Sequence, residues 1–387
     1  MSTVSWTENG TTRTARWHSE NGTPAPTRIV VADDRMSADT ALHHARAGAN
    51  LLWRGDFHNA RHLMRAMNRR LSKRPSRAAD LGGLFRAHRR DRAERAALLG
   101  RLSIELEHDH SIRLRRAPDA RAACDHAYGK PASEPGDISG GPTLVSLPEL
   151  LGVIGAYQWH REGIDIAALG ARLHPAYGVF SPTRNEYIDL VAQAPFPEGV
   201  DHPVAFDIGT GSGVLAAVLA RRGAREVLAT DINSRAVRCA RENMWRLGLA
   251  DRVRVTAADL WPDTRARADL IVCNPPWLPG NPTSALELGI YDPASRVVNR
   301  FLADLADHLT PHGEGWLILS DLAEHLGLRT RDELLVRIAD AGLTVTGRQE
   351  TVPRHARIAD RTDPLRAVRA RERIVLWQLA SRPPHMS

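Results

Sequence analysis

From residue 204 to residue 379 the chain alternates between two hydrophobic rhythms. Short apolar runs over 204–208, 226–230, 252–256, 268–273 and 315–320 predict buried strands, and 343–350 and 373–379 are strand-like as well. Between them, apolar residues recur at helical spacing over 214–222, 234–247, 297–309 and 331–341. Strands that alternate with helices in this way predict an α/β domain over 203–382, with a doubly wound, mostly parallel, seven-stranded sheet.

Upstream the pattern differs. Residues 1–36 are rich in Thr, Ser, Asn and Gly with little periodicity, and predict a flexible arm with a short strand near 27–31. Ser37 then offers an N-cap, after which Ala41, Ala45, Ala49, Leu52 and Trp53 recur at helical spacing. Gly55-Asp56 interrupts before a second helix carrying Ala60, Leu63, Met64, Met67 and Leu71 on one face. A third helix is expected over 80–102, with Leu81, Leu84, Phe85, His88, Ala96 and Leu99 turned inward. Residues 37–130 therefore read as a mainly helical domain, available for substrate recognition. Residues 131–143 carry Pro, Gly and Ser with almost no apolar content and read as a linker. Residues 144–202 read as connecting helices and a pre-sheet segment. The first of these helices opens at Ser146 with Glu149 three residues on, a capping-box pattern.

Composition narrows the class. A length of 387 residues suits two or three domains, and 43% hydrophobic with 25% charged residues is ordinary for a soluble globular protein. The first forty residues lack the apolar core of a signal peptide, and no apolar stretch is long enough to span a bilayer, so a cytoplasmic protein without membrane contact is expected. Cys124, Cys239 and Cys273 are scattered and read as free thiols. No CxxC or HxxxH pair accompanies these cysteines, and no metal site is expected. The net charge of +7 comes almost wholly from Arg, with Lys only at 73 and 130, a bias that genome composition also produces. Arg61, Arg65, Arg69, Arg70, Lys73, Arg74 and Arg77 form one basic run, and Arg86, Arg89, Arg90, Arg92 and Arg95 another. Such runs suit nucleic-acid phosphates, yet only Phe85 supplies an aromatic ring near them, and solvated helix faces explain them equally well.

The chemistry concentrates at four strand ends. Asp207-Ile208-Gly209-Thr210-Gly211-Ser212-Gly213 follows the first strand and opens a helix. Its glycines permit positive φ and close approach of a ligand to the backbone. A dinucleotide site would want G-x-G-x-x-G, but the sixth position is Val214, and Asp207 would repel a pyrophosphate while suiting a cation. Asp231 ends the second strand, where a carboxylate accepts from ribose hydroxyls or caps the following helix. Asp259 and Leu260 follow the third strand; Asp259 suits an adenine amine or a turn. Asn274-Pro275-Pro276-Trp277 follows the fourth. The Asn oxygen and the Pro275 carbonyl are acceptors for a planar NH2 group, and the indole is a stacking surface. A strand-ending turn with a core Trp is the plainer reading of the same four residues.

Together these segments, in this order, resemble the class I S-adenosylmethionine-dependent methyltransferases. More narrowly they resemble the small methyltransferase domain group, which includes release-factor glutamine methyltransferases and N-methyltransferases of rRNA and tRNA. The resemblance runs from about residue 177 to 379 and implies a Rossmann-like methyltransferase fold. It also implies roles: Asp207, Gly209, Thr210, Gly211 and Gly213 around the methionine part of S-adenosyl-L-methionine, Asp231 on the ribose, Asp259 and Leu260 at the adenine, Asn274 against the cofactor as well, and Asn274, Pro275, Pro276 and Trp277 at the target nitrogen. Trp277 departs from the commoner Tyr or Phe, keeping a stacking plane but asking for a wider pocket. Phe180, Pro182, Arg184 and Glu186 match a segment that covers the cofactor in related enzymes, or else simply pack. The loop 278–296, with Glu287, Tyr291, Asp292 and Arg296, has the length of a substrate lid.

The chain thus reads as an S-adenosylmethionine-dependent N-methyltransferase acting on a planar amine or amide nitrogen in RNA or in protein (glutamine). The alternatives are a small-molecule (secondary metabolite) acceptor and a noncatalytic nucleic-acid- or protein-binding module. A nicotinamide dehydrogenase is disfavoured by Val214. Acceptor identity and oligomeric state stay open at this level.

Overall fold

A computed structural model describes residues 2–71, 78–131, 141–282, 286–354 and 363–382. The chain divides into two compact units, Met1–Arg77 with Arg86–Gln158, and Ala78–Phe85 with Trp159–Ser387.

The N-terminal unit is not the helical domain that periodicity suggests. It holds a six-stranded mixed sheet of β1 (Ser2–Glu8), β2 (Thr11–Trp17), β3 (Ile29–Ala32), β4 (Asn50–Trp53), β5 (Leu102–Leu106) and β6 (Thr143–Ser146), in the order β1-β2-β6-β5-β4-β3. The expected flexible arm is its first hairpin. Glu8 pairs with Thr11 across Asn9 (φ 50°) and Gly10 (φ 76°), a two-residue turn that demands such residues. Val4, Trp6, Ala15 and Trp17 alternate along the two strands and bury one face. The short strand expected near 27–31 is present as β3.

α1 (Ala38–Arg46) is capped by Ser37 and stops before Gly48 (φ 81°), so Leu52 and Trp53 belong to the fully buried parallel strand β4 rather than to a helix. α2 (Phe57–Arg70) and α3 (Leu81–Leu99) lie in sequence between β4 and β5, and α4 (Arg121–Tyr128) follows. α5 (Leu147–Glu162) begins after β6, with Ser146 Oγ accepting from the Glu149 N–H at 3.3 Å. Most of the expected linker, residues 132–140, lies outside the described residues.

In the C-terminal unit, β7 (Ile164–Ile166) and β8 (Ala171–Leu173) form a small hairpin, followed by α6 (Glu186–Gln193). The main sheet has seven strands: β9 (Val204–Ile208), β10 (Glu226–Asp231), β11 (Val253–Ala257), β12 (Ala268–Cys273), β15 (Leu309–Ser320), β16 (Leu343–Thr351) and β17 (Ile374–Ser381). A two-stranded pair, β13 (Leu278–Pro279) with β14 (Tyr291–Asp292), lies between β12 and β15 in sequence. The order is β11-β10-β9-β12-β15-β17-β16, with β17 antiparallel to both neighbours and the other pairings parallel.

Parallel strands buried on both faces read as continuous apolar runs, which is how the central strands β9 and β12 appear in the sequence, while the edge strands β11 and β16 alternate. One face packs Ala205, Val227, Leu270 and Trp316 against α6, α7 (Val214–Arg221) and α8 (Ser234–Arg246). The other packs Phe206, Ile271, Leu317 and Trp377 against α9 (Arg296–His308) and α11 (Arg331–Asp340). A satellite cluster joins Phe85 and Leu278 to α10 (Leu322–His325) and α12 (Arg366–Arg369). The three cysteines are free and buried. No helix of the described residues is long and apolar enough to cross a membrane.

Candidate active site

The register aligns four strand ends. Ile208 pairs with Thr230 on one side and with Cys273 on the other, and Asp231 pairs with Ala257. The loops after β9, β10, β11 and β12 therefore leave the sheet on one edge. The carboxyl edge of a parallel sheet is where such folds place ligands.

The glycine loop is held from beneath. Gly209 and Thr210 donate their N–H groups to the Thr230 carbonyl at 2.9 and 2.8 Å. The buried Asp207 Oδ2 accepts from Thr210 Oγ1 at 2.6 Å and from the Ala216 N–H, in the first turn of α7, at 2.9 Å. Burial pushes the Asp207 carboxyl up to about 6, against those two hydrogen bonds, and the Asp231 charge adds to the rise. This carboxylate takes up one first-turn N–H of α7 and places negative charge beside the helix N-terminus, which disfavours a pyrophosphate there.

The three glycines differ in purpose. At Gly213 (φ 86°) a Cβ would lie 2.9 Å from Met244 Cε, so this glycine lets α7 and α8 approach. At Gly209 (φ 74°) and Gly211 (φ 56°) a Cβ would meet no protein atom within 4 Å. Those two positions face open space and leave backbone exposed to a ligand.

Asp231 is fixed by two backbone donors, Gly211 N–H to Oδ2 at 2.9 Å and Asn233 N–H to Oδ1 at 2.8 Å. Each oxygen keeps a further lone pair for a hydroxyl. Burial raises its pKa, opposed by the same two bonds. The cap of α8 is a different residue, Asn233, whose side chain accepts from the Arg235 N–H. Sequence reasoning missed Ile232, which stands 74% exposed directly after Asp231 and offers an apolar surface to a ring. An Ile directly behind a strand-ending Asp was the available signal.

Asp259 sits differently from expectation. Its carboxylate is more than half exposed and paired with Arg300 at 3.0 Å. What the segment contributes is backbone: Ala258 donates to the Asp231 carbonyl at 3.1 Å, and Leu260 (φ 70°) accepts at its carbonyl from Thr230 Oγ1.

Asn274 to Trp277 leave β12 beside the glycine loop. Trp277 is half-buried between the cores of the two sheet faces, and its Nε1–H donates to Asn274 Oδ1 at 2.8 Å. The Arg184 guanidinium lies 5.6 Å from the Trp277 ring centre. Of the segment expected to cover the site, Phe180 meets Gly289, where a Cβ would come within 3.3 Å of it. Glu186 is buried and accepts from the Arg354 N–H. The expected lid, 278–296, is pinned at both ends by the β13–β14 pairing. Asp292, 2% exposed, starts α9 by accepting from the Val297 and Val298 N–H groups at 2.9 and 3.3 Å. Residues 283–285 of that loop lie outside the described residues. Burial, with the Asp207 and Asp292 charges, lifts the Cys273 thiol well above its usual range, so it stays protonated and is no nucleophile.

The basic runs are partly structural. Arg95 donates to the Asn68 and Leu71 carbonyls and Arg70 pairs with Asp39, while Lys73, Arg74 and Arg77 lie outside the described residues.

Residues 172–331 match the family model described as methyltransferase small domain. The chain is 48% identical over 69 residues to a ribosomal protein L11 methyltransferase of Pelotomaculum thermopropionicum, covering 18% of this chain and 22% of that one. It is 25% identical over 167 residues to a protein of Methanocaldococcus jannaschii provisionally named protein N5-glutamine methyltransferase, covering 41% and 80%. It is 36% identical over 132 residues to the 4-amino-L-phenylalanine/4-methylamino-L-phenylalanine methyltransferase of Streptomyces pristinaespiralis, covering 32% and 45%. The chain thus spans about a fifth of the first relative and under half of the third.

Proposed function

We propose, from the match of residues 172–331 to the methyltransferase small domain model, that this protein is an S-adenosylmethionine-dependent N-methyltransferase. The observation that carries the reading is the convergence of three features on one sheet edge: the open backbone at Gly209 and Gly211, the anchored Asp231, and the Asn274–Trp277 turn.

The residues suit this cofactor. Gly209, Thr210 and Gly211 accommodate the amino-acid part, and the buried acid Asp207 favours its positive charge. Asp231 accepts from the ribose hydroxyls, and Ile232 with the Leu260 backbone flanks the base. When bound, S-adenosylmethionine supplies a methyl group on an electron-poor sulfonium. The chain's own task is to prepare the nitrogen. An amide or ring NH2 has its lone pair delocalised and attacks poorly. Asn274 Oδ1 and the Pro275 carbonyl accept from its two N–H groups out of plane and favour a tetrahedral nitrogen, and Trp277 holds the plane that carries it. These contacts strengthen as the nitrogen rehybridises, so they stabilise the transition state more than the ground state. No strong base is needed, because the proton leaves after the transfer.

The acceptor we assign is a planar nitrogen of protein or RNA, with small aromatic amines as the competing class. Acceptor recognition is assigned to the N-terminal unit, whose exposed Arg65, Arg69, Arg86, Arg90 and Arg92 suit a polyanion. Calorimetry with S-adenosylmethionine and its demethylated product tests the cofactor: wild type binds both, and a wild type that binds neither ends the reading. Labelled cofactor incubated with cell extract, then nuclease or protease, identifies the acceptor by which digestion frees the label.

A further inference from the structure

We infer that Glu372 and Arg184 are positioning residues that hold Trp277, and that Trp277 in turn fixes the carboxamide of Asn274. This rests on the reading that Asn274 receives the target nitrogen.

An indole N–H only donates. The group 2.8 Å from Trp277 Nε1 must therefore be the oxygen of Asn274, not its NH2. That settles a choice with chemical consequences. With Oδ1 held by the indole, its second lone pair remains able to accept from a target N–H. A carboxamide turned by half a rotation would present two donors to an NH2 group that needs acceptors. Phe at position 277 would stack as well but could not enforce this orientation.

Trp277 is itself held by a chain of contacts from a distant part of the sequence. Arg184 covers its ring, and Arg184 Nη1 lies 3.5 Å from Glu372 Oε1. Glu372 is 1% exposed, and Ser320 Oγ donates to the same Oε1 at 2.7 Å. Ser320 ends β15 on the edge from which Asn274 departs, since Leu317 pairs with Cys273. Among the described residues, Glu372 Oε2 has no hydrogen-bond partner. A buried carboxylate with an empty oxygen is a poor stabilising device. Its place beneath Arg184 makes sense as the anchor of a cation that must stay over one ring.

The test reads the indole directly. In the full-length protein with 15N-labelled indoles, Trp277→Phe identifies the Trp277 resonance by its loss. In wild type that N–H should exchange slowly with D2O, because it is hydrogen-bonded to Asn274. Arg184→Gln and Glu372→Gln should speed its exchange by about tenfold or more, the size expected for coupled contacting groups, while other indoles stay unchanged. Unchanged exchange in both variants overturns the relay. Should Glu372→Gln fail to fold, the part-exposed Arg184 carries the same test. In turnover assays, kcat should fall in Glu372→Gln without a change in KM for S-adenosylmethionine, and Glu372→Gln added to Trp277→Phe should lower kcat no further. Fully additive losses contradict action through Trp277. A wild type that does not bind the cofactor sinks the proposed function, while the exchange data still decide the relay.

Discussion

In the N-terminal unit β4 ends at Trp53 and α2 begins at Phe57, with Gly55 and Asp56 between them. In the C-terminal unit β9 ends at Ile208 and α7 begins at Val214, with three glycines between them and Asp207 at the strand's end. Both turns join a buried parallel strand to a helix, and both combine glycine with a buried acid. In the first, the protein fills its own space. A Cβ on Gly55 would sit 2.4 Å from Asp34 Oδ1. Asp56 caps α2 through the His58 N–H and takes ion pairs from Arg115 and Arg116 at 2.9 and 2.7 Å, which hold its carboxyl well below the usual range. In the second, Gly209 and Gly211 face empty space, and burial raises Asp207 and Asp231 above their usual range. A glycine-and-acid turn becomes a site when space and charge are left for something else to complete.

The largest separation between the two turns should come from chemistry alone. Asn274→Ala should cut methyl transfer by about 10²–10³-fold, the usual size for removing one preorganised polar group, and leave cofactor affinity intact. Single-turnover kinetics beside calorimetry checks this. A parallel loss of binding would move Asn274 from the acceptor to the cofactor.

Next in size is the exchange of Asp231 against Asp56. Asp231→Ala removes an ionised acceptor and should weaken S-adenosylmethionine by about 10- to 100-fold, since hydrogen bonds to charged groups contribute about 1.5–3 kcal/mol each. Asp56→Ala should lower the melting temperature and leave the cofactor Kd unchanged, because it frees Arg115 and Arg116 and uncaps α2. Thermal melts with and without cofactor separate the two. Equal effects of the two variants on Kd would erase the distinction.

The two units were unequally legible in the sequence, and for a physical reason. The central strands β9 and β12 are buried along nearly their whole length, so each is an apolar run ended by Gly or Asn, and 204–208 and 268–273 coincide with them, whereas the edge strands β11 and β16 alternate buried and exposed positions. The N-terminal hairpin buries one face only, and its inward residues are separated by Thr, Ser and Arg, which mimic a polar arm. Asn9-Gly10 was the signal that distinguishes them. Ala49, Leu52 and Trp53 continue the helical spacing of α1 by coincidence, and pairing of Leu52 with Val31 and Ser103 places Leu52 and Trp53 in a strand. At the site, contiguous motifs gave Asp207, Gly209, Gly211, Asp231 and Asn274. Nothing local marks Glu372 or Ser320, whose place under Arg184 exists only after folding. The bond from Trp277 to Asn274 depends on a rotamer, which no pattern encodes.

Proton linkage should be weaker than these substitutions but has a definite sign. The Asp207 pKa rises from an ordinary 3.8 to about 6 in the folded chain. Folded protein therefore binds this proton more tightly than unfolded protein. The contribution to stability is fullest below about pH 4 and is lost as pH rises through about 6. Cofactor affinity should run the opposite way, increasing as Asp207 ionises, by at most about tenfold per pH unit for a single proton. Asp207→Asn should flatten the profile between pH 5 and 7, with residual slope from Asp231, whose pKa shifts in the same direction.

The smallest effects should come from adding one methyl group to each turn. Gly211→Ala places a side chain at φ 56°, which costs roughly 1–2 kcal/mol of stability on backbone grounds, and no atom lies near enough to clash. Its methyl projects into the open space, so the cofactor should bind several-fold more weakly. Gly55→Ala has no positive φ to strain it, but its methyl must displace Asp34, which accepts from the Asp56 N–H at 3.0 Å and the Asn59 side chain at 3.0 Å. It should lower the melting temperature more than Gly211→Ala and leave the cofactor Kd alone. Reversal of that order would mean that the space at Gly211 is closed by the protein itself and that the two turns differ only in degree.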